Sequence, residues 1–375
     1  MAKKATKKEY QQPGSNIVIS SLSWLLLIAA SLSRSAAALS TPASMGDTAE
    51  RPSRYYPSFC EALPPLAGGK TVVVTGASRG LGLVTARTVA ARGGRVIALS
   101  RASDRAARAL EQMSSAATGA PPALVACDLT SFESVRRACQ EVRELTEDAG
   151  IDVLCCNAGV MLQPDTATVD GYDVTAATNV LSHFLIVKEL FPELCAAARK
   201  HGSARVVTMS SGSGYGGPPF DARFFARSGG SLGGDAASYE RYHQSKLANL
   251  AFAAALDRRR RQSGGDGAAR LVRSLACTPG VCGSDMFVHA TRVMTGRPAR
   301  RDAVPSVEDG ALAQLKCIFD PDVASGELWG PAMGGEGDEF GLQRTAICPP
   351  QILVDGDTCN AVWKACEDAV GTFTL

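Results

Sequence analysis

From Lys70 onward the chain alternates two kinds of apolar pattern. Short β-branched runs that stop at a glycine or polar residue alternate with longer stretches whose apolar residues recur every three or four positions. "KTVVVTG" (70–76) is the first run, and "LGLVTARTVAARGG" (81–94) follows with helical periodicity and a closing glycine pair. "RVIALSR" (95–101), "ALVACDL" (123–129), "IDVLCCNAGV" (151–160), "ARVVTMSS" (204–211) and "RLVRSLACTPG" (270–280) predict further strands. Between them, "RAARALEQMSSA" (105–116), "SFESVRRACQEVRELTEDAG" (131–150), 182–201 and 238–262 predict helices. "VPSVEDGALAQLKCIFDP" (304–321) and "SGELWGP" (325–331) read as a helix and a last strand, and "CNAVWKACEDAVG" (359–371) as a final amphipathic helix. Strands alternating with helices of this length imply βαβ units, and right-handed crossovers make the sheet parallel and doubly wound. The expectation is one α/β domain over 69–375, with no internal repeat.

The N-terminal part follows other rules. Lys3, Lys4, Lys7 and Lys8 precede the apolar "IVISSLSWLLLIAASL" (17–32), and small residues cluster near 36–38. That order matches a secretory signal peptide, with a signal anchor as the alternative, so 1–38 reads as a targeting leader or membrane anchor. Residues 39–68, rich in Pro, Ser, Ala and Gly, read as a flexible linker. Localisation stays open: a leader of this kind is expected to target the ER, either on the way to a complex plastid or as an ER-membrane anchor.

Composition narrows the function by exclusion. The net charge of +2 gives no global case for nucleic acid, and "RRRR" (258–261) reads as a solvated helix end. Twelve cysteines form no C-x-x-C and no legible disulfide framework; Cys155 and Cys156 lie in an apolar run that suits buried reduced thiols. None of the four histidines has metal-ligand spacing, so no metal is expected.

Candidate chemistry starts at "TGASRGLG" (75–82), between the first strand and the first helix. Glycines let backbone approach a pyrophosphate, and a helix N-terminus offers free N–H groups to it. Gly76, Ser78, Arg79, Gly80, Leu81 and Gly82 are therefore candidate cofactor residues of a Rossmann-type fold. An acidic residue at the end of the second strand would bond a ribose 2′-hydroxyl; Ser100 and Arg101 stand there instead. Two guanidiniums, Arg79 and Arg101, suit a 2′-phosphate and favour NADP(H) over NAD(H), unless both are ordinary surface arginines. Asp128 and Leu129 end the third strand, where a carboxylate can take the adenine amino group or cap the next helix. Asn157, Ala158 and Gly159 can carry backbone past the adenine ribose.

"TGASRGLG", "CDL", "CNAGV", "TNVLSHF", "VVTMSS", "YHQSK" and "TPG" follow one another over roughly residues 70–285. In that order they resemble the short-chain dehydrogenases/reductases. "RYHQSKLAN" with "TNVLSHFLI" resembles the retinol-dehydrogenase-like branch, and also the light-dependent protochlorophyllide reductases. The resemblance implies Tyr242 as acid/base and Lys246 as the cation that favours its phenolate and holds the nicotinamide ribose. It implies Ser211, rather than its neighbour Ser210, as the serine that bonds the substrate oxygen, and Asn179 as the holder of a water-linked proton relay. An alternative for Asn179 is a helix-kink or capping role. Pro279 and Gly280 would form the turn beside the nicotinamide, and Ser284 stands where the family usually has threonine. Tyr239, with only His243 one turn on, is expected to line the rim or pack; His183 and His243 suit packing or surface roles.

One departure concerns spacing. In the commonest members the serine and tyrosine are much closer together, whereas 31 positions separate Ser211 from Tyr242. The extended loop 212–237 is expected to be a mobile lid or rim, with an uninvolved surface loop as the alternative. The variable segment 285–305 carries Met, Phe and Val suited to an apolar pocket wall or to core packing. The leading expectation is NADP(H)-dependent interconversion of an alcohol and a carbonyl on an apolar small molecule, with homo-oligomerisation left open. Light-driven protochlorophyllide reduction is the alternative, disfavoured by "CNAGV" where that subfamily has Asn-Ala-Ala. A non-catalytic NADP(H)-binding sensor or scaffold is a third reading, which the Ser–Tyr–Lys–Asn set argues against.

Overall fold

The computed structural model describes residues 50–66, 68–147, 149–215, 217–264, 267–332, 337–345 and 356–375; the leader 1–38 lies outside them. Among these residues the strands are β1 (Thr71–Thr75), β2 (Arg95–Ser100), β3 (Ala123–Ala126), β4 (Val153–Cys156), β5 (Ala204–Met209), β6 (Val272–Cys277), β7 (Leu328–Pro331) and β8 (Leu342–Thr345). They form one sheet in the order β3-β2-β1-β4-β5-β6-β7-β8, parallel except for the β7–β8 pair. The main helices are α1 (Tyr56–Ala62), α2 (Gly80–Ala91), α3 (Asp104–Ala116), α4 (Phe132–Thr146), α5 (Ser182–Glu189), α6 (Phe191–His201), α7 (Ser238–Gln262), α8 (Asp285–Thr295), α9 (Leu312–Phe319) and α10 (Gly356–Val370). The architecture is the expected Rossmann-type doubly wound sheet.

The pleat of β1 divides the interior. Val73 faces one core with Ile97, Leu154 and Phe184, while Val72 and Val74 face the other with Val89, Met113 and Leu315. Both faces are covered by helices, so the strand is buried at every position rather than alternating. On α4 the buried Phe132, Val135, Ala138, Cys139 and Val142 recur at helical spacing, and Ser131 caps the helix through the Ser134 N–H. Trp363 of α10 closes one core by meeting Phe184 edge-on at 5.1 Å and stacking on Phe373 at 5.2 Å.

Several elements depart from the pattern-based expectation. The stretch 182–201 is two helices, parted at Leu190 because Pro192 cannot continue a helix and instead starts α6. The runs 123–129, 151–160 and 270–280 are strand only at Ala123–Ala126, Val153–Cys156 and Val272–Cys277; their polar and glycine ends form site loops. The antiparallel β8 was not foreseen, since "LQRT" has neither alternation nor a β-branched run. Residues 54–66, read as part of a flexible linker, are docked instead. The Asp309 carboxylate accepts the N–H groups of Arg54, Tyr55 and Tyr56, and Phe59 meets Phe340 edge-on at 4.9 Å. Tyr and Phe supply the apolar area that a Pro/Ala-rich tether lacks. Among the described residues no helix is long and apolar enough to cross a membrane.

Candidate active site

The strand order reverses between β1 and β4, and the crevice beyond their C-terminal ends is where an open α/β sheet receives a ligand. Gly76 leaves β1 with φ +67°, and a Cβ there would stand 3.0 Å from Ala158. A Cβ on Gly82 would come within 2.5 Å of both Asn157 Nδ2 and the Gly76 carbonyl, so the first turn of α2 can only pack this close without one. Gly80, with φ +56°, faces open space. Arg79 occupies the N-cap position of α2 without a side-chain cap, which leaves the helix's first N–H groups for an anion. Ser78 lies in the same turn, partly buried, and Leu81 packs towards the turn at Gly310.

Asn157 braces this loop. Its Nδ2 donates to Thr75 O at 2.8 Å, its main-chain N–H and that of Ala158 donate to Thr75 Oγ1, and its Oδ1 is buried without a protein partner. Ser100 Oγ, at the end of β2, is also buried and unpartnered. A glycine cradle, an uncapped helix start and two orphaned acceptors suit a dinucleotide. Arg101 is exposed at the exit of β2, while Arg79 reaches across to Asp285 at the start of α8, 2.9 Å away. Asp128 does not cap α4: it folds an Asx turn, accepting from the N–H and hydroxyl of Thr130, and Ser131 is the cap. The Leu129 carbonyl accepts from Ser182 Oγ at 2.7 Å, joining this loop to α5.

Towards the other half of the crevice, α7 presents Tyr242 and Lys246 one turn apart, both buried. Lys246 Nζ donates to Met209 O at 3.1 Å, at the end of β5, and lies 5.8 Å from the centroid of the Tyr242 ring. Asn179 sits in a π-helical turn, Ala177–Leu181, that runs straight into α5. Its side chain accepts from Val160 N–H at 2.8 Å and donates to Val160 O and to Ser245 Oγ, each at 2.9 Å. A Cβ on Gly159 would lie 3.4 Å from Asn179 Oδ1, 3.5 Å from Lys246 Nζ and 3.8 Å from Met286 Cε, so these three side chains converge over Gly159. The two serines separate cleanly. Ser210 Oγ donates to the Lys246 carbonyl at 2.8 Å and holds α7, whereas Ser211 Oγ stands near the Tyr242 phenol and accepts from the Ser213 N–H at 3.2 Å.

Burial sets the charge states here. It pushes the Tyr242 phenol up to about 12, against the opposing pull of the nearby Ser211 hydroxyl. It brings the Lys246 ammonium down to about 8. His183 is pulled to about 4 by burial and is neutral. Because the Asn179 carbonyl can only accept, Nδ1 carries the proton (3.0 Å) and Nε2 accepts from the Thr75 hydroxyl (2.9 Å). His183 thus splints the π turn to the nucleotide loop.

The space in front of Tyr242 is apolar. Tyr242 packs with Met161 and Leu162, and Tyr239, Met286, Ala290 and Met294 complete the wall, with Met286 Sδ 3.9 Å from the Tyr242 hydroxyl. Gly280 turns with φ +66° after Pro279, and Ser284 caps α8 through the Phe287 N–H at 3.3 Å. The described residues of loop 212–237, expected as a mobile lid or rim, are tied to the core and to α7. Phe224 and Phe225 are buried in the core, and α7 grips the loop's main chain. His243 meets the carbonyls of Ser213 (2.5 Å) and Pro218 (3.0 Å); Gln244 accepts from Asp221 N–H and donates to Pro219 O. Arg241, Gln244 and the Met161–Leu162 wall were missed from the sequence. An arginine one residue before the tyrosine, on an otherwise small and apolar helix face, was the available signal.

A family model for short chain dehydrogenases matches residues 70–224. Human retinol dehydrogenase 12 is 30% identical over 258 residues, covering 67% of this chain and 73% of that protein. The chain belongs to the short-chain dehydrogenase/reductase family. Within the family it falls in the retinol-dehydrogenase-like branch. A short-chain dehydrogenase/reductase of Armillaria gallica is 37% identical over 198 residues, which are 52% of this chain and 62% of that protein; the chain thus spans under two thirds of that relative. Among solved structures, an uncharacterized protein from Mycobacterium paratuberculosis shares the fold with a TM-score of 0.63 and 29% identity, over 84% of this chain and 98% of that one.

Proposed function

We propose that this short-chain dehydrogenase/reductase is an NADP(H)-dependent oxidoreductase that interconverts an alcohol and a carbonyl on an apolar small molecule, with Tyr242 as acid/base. The observation that carries the reading is the convergence of Asn179, Lys246 and Met286 over Gly159, beside Tyr242 and a methionine-rich wall. When bound, the dinucleotide supplies or accepts a hydride at the substrate carbon. The cradle of Gly76, Gly80, Gly82 and the α2 N-terminus would hold its phosphates, with Ser78, Leu81, Asp128, Leu129, Asn157, Ala158, Pro279, Gly280 and Ser284 lining its course. Arg79 and Arg101 are the cations for a 2′-phosphate.

The chain's own residues manage the proton. Tyr242, buried and raised to about 12, is a neutral phenol at pH 7 and can give its proton to a carbonyl oxygen. Ser211, near that phenol, donates to the same oxygen and stabilises the charge that develops there. Lys246, with its charge kept below pH about 8, favours the phenolate left behind. Asn179, fixed by Val160 and Ser245, holds the lysine side of the site in register. The methionine wall excludes water and suits an apolar body; the similarity to a retinol dehydrogenase points the same way.

The test is NADPH oxidation by the full chain in the dark with apolar and polar aldehydes and ketones. Turnover with apolar carbonyls is expected. Tight NADPH binding without any turnover, unaffected by Tyr242→Phe, would instead mark a nucleotide-binding sensor.

A further inference from the structure

Arg241 directly precedes Tyr242 on α7, and its side chain is 1% exposed. Successive helix positions point about 100° apart, so Arg241 leaves the Tyr242 face and enters the segment 163–173. There Nη2 donates to Gln163 O at 2.8 Å, and Nη1 donates to Gly234 O at 2.7 Å and Leu232 O at 3.2 Å. Nε faces Asp173 Oδ2 at 3.2 Å, as an ion pair more than an aligned hydrogen bond, and Asp165 Oδ2 lies 3.9 Å from Nη1. Asp165 holds the same loop by this carboxylate, Oδ1 accepting from the Gly230 N–H and Oδ2 from those of Leu232 and Gly234. Burial pushes the Asp165 carboxyl up, but those N–H groups and Arg241 outweigh it and hold it below the usual carboxylate range.

Two branches of this network lead to the site. Gln163 follows Met161 and Leu162, the wall that packs on Tyr242. Leu162 has φ +53°, a left-handed conformation that a branched residue keeps only where its surroundings impose it. Asp173 caps the helical segment that runs into the π turn of Asn179, through the Thr175 and Ala176 N–H groups. Helix α7 is thus tied to the Asn179 segment twice, by Arg241–Asp173 and by Ser245–Asn179. Buried charge networks are weak sources of stability and are better suited to fixing one arrangement. Only the planar fork of arginine reaches three carbonyls and a carboxylate at once.

We propose that Arg241 is a positioning residue for the reaction: it locks the pocket wall at Met161–Gln163 and the rim at 230–234 to the helix that carries Tyr242, and so sets which substrates fit. It acts through the wall and touches no reacting atom. The inference rests on the reading of Tyr242 as acid/base. The test compares the full-length chain with Arg241→Met and Arg241→Lys, measuring NADPH affinity by fluorescence, thermal stability, and kcat and KM for a long and a short apolar aldehyde. Displacement of a substrate wall by about 1 Å costs on the order of 100-fold. For Arg241→Met we therefore expect kcat/KM with the long aldehyde to fall about that much, mainly through KM, and the long-over-short preference to collapse. NADPH affinity is expected to stay within about 3-fold, because Arg241 itself touches no residue of the nucleotide loop. Arg241→Lys, which keeps the charge but not the fork, should fall between. If Arg241→Met fails to fold, the lysine variant decides by the same two readouts. Lower stability with unchanged KM and unchanged length preference would overturn the proposal while leaving Tyr242 chemistry intact. Absence of turnover in the unsubstituted chain would overturn the underlying reading and this proposal with it.

Discussion

The two halves of the crevice are built by different means. The nucleotide half is made of backbone: Gly76, Gly80 and Gly82 shape it, and the α2 N-terminus and Asn157 finish it within a short stretch of chain plus one neighbouring strand. The substrate half is made of side chains drawn from distant segments, with Met161, Tyr242 and Met286 in one wall and Arg241 joining 163, 173 and 232–234. A backbone site tolerates almost any side chain except a Cβ in the wrong place. A side-chain site depends on each partner keeping its place. The consequence is that substitutions should separate cleanly, with cofactor affinity answering to one half and turnover to the other.

The sharpest break is expected at Lys246. Lys246→Met removes the cation beside the phenol and should lower turnover by about 100- to 10,000-fold, the range of a lost acid–base element, as read in single-turnover kinetics. Arg79→Met should act on the other half. It should weaken NADPH relative to NADH by roughly 10- to 100-fold, the worth of a charge-assisted hydrogen bond of about 1.5–3 kcal/mol, with kcat at saturating cofactor little changed. Equal weakening of both cofactors would remove Arg79 from 2′-phosphate recognition.

The pH profile gives a smaller effect. Lys246 is charged below pH about 8 and neutral above it, so carbonyl reduction should be level below that value and decline above it. Tyr242, at about 12, remains a proton donor throughout, so reduction does not lose its acid over this range. Alcohol oxidation needs the scarce phenolate and should rise as pH increases towards 8. A reduction rate that climbs through pH 8 would contradict this ordering of charges. The smallest change is expected at Ser210. Ser210→Ala removes one buried bond to the Lys246 carbonyl and should cost about 1 kcal/mol of stability with turnover retained. Ser211→Ala should do the reverse.

The same contrast explains what could be read from the chain. The nucleotide half was legible because a β-branched run, a glycine turn and a helix lie next to one another, and each local preference agrees with the fold. Asp128 read as an adenine ligand or a helix cap; its Asx turn with Thr130 and the cap at Ser131 both fit "CDLTSF", and only geometry separates them. In the substrate half, "YHQSK" marked Tyr242 and Lys246, but nothing local says that His243 and Gln244 grip main chain at 213 and 219, or that Arg241 holds Leu232 and Gln163 together. The anchoring of loop 212–237 was hidden for the same reason, because its glycines signal freedom while its anchors lie on α7. The docked segment 54–66 depends on Asp309, about 255 positions away, which no local pattern reveals.

The most direct test sets two neighbouring tyrosines against each other. Tyr242→Phe and Tyr239→Phe each remove one hydroxyl from the same helix, the first facing Met286 Sδ at 3.9 Å and the second weakly bonded to Ser213 Oγ at 3.5 Å. NADPH affinity and turnover of an apolar carbonyl would be measured for both. The account predicts that Tyr242→Phe abolishes turnover with NADPH affinity unchanged, while Tyr239→Phe retains substantial activity. Equal loss from the two substitutions, or full activity in Tyr242→Phe, would contradict it.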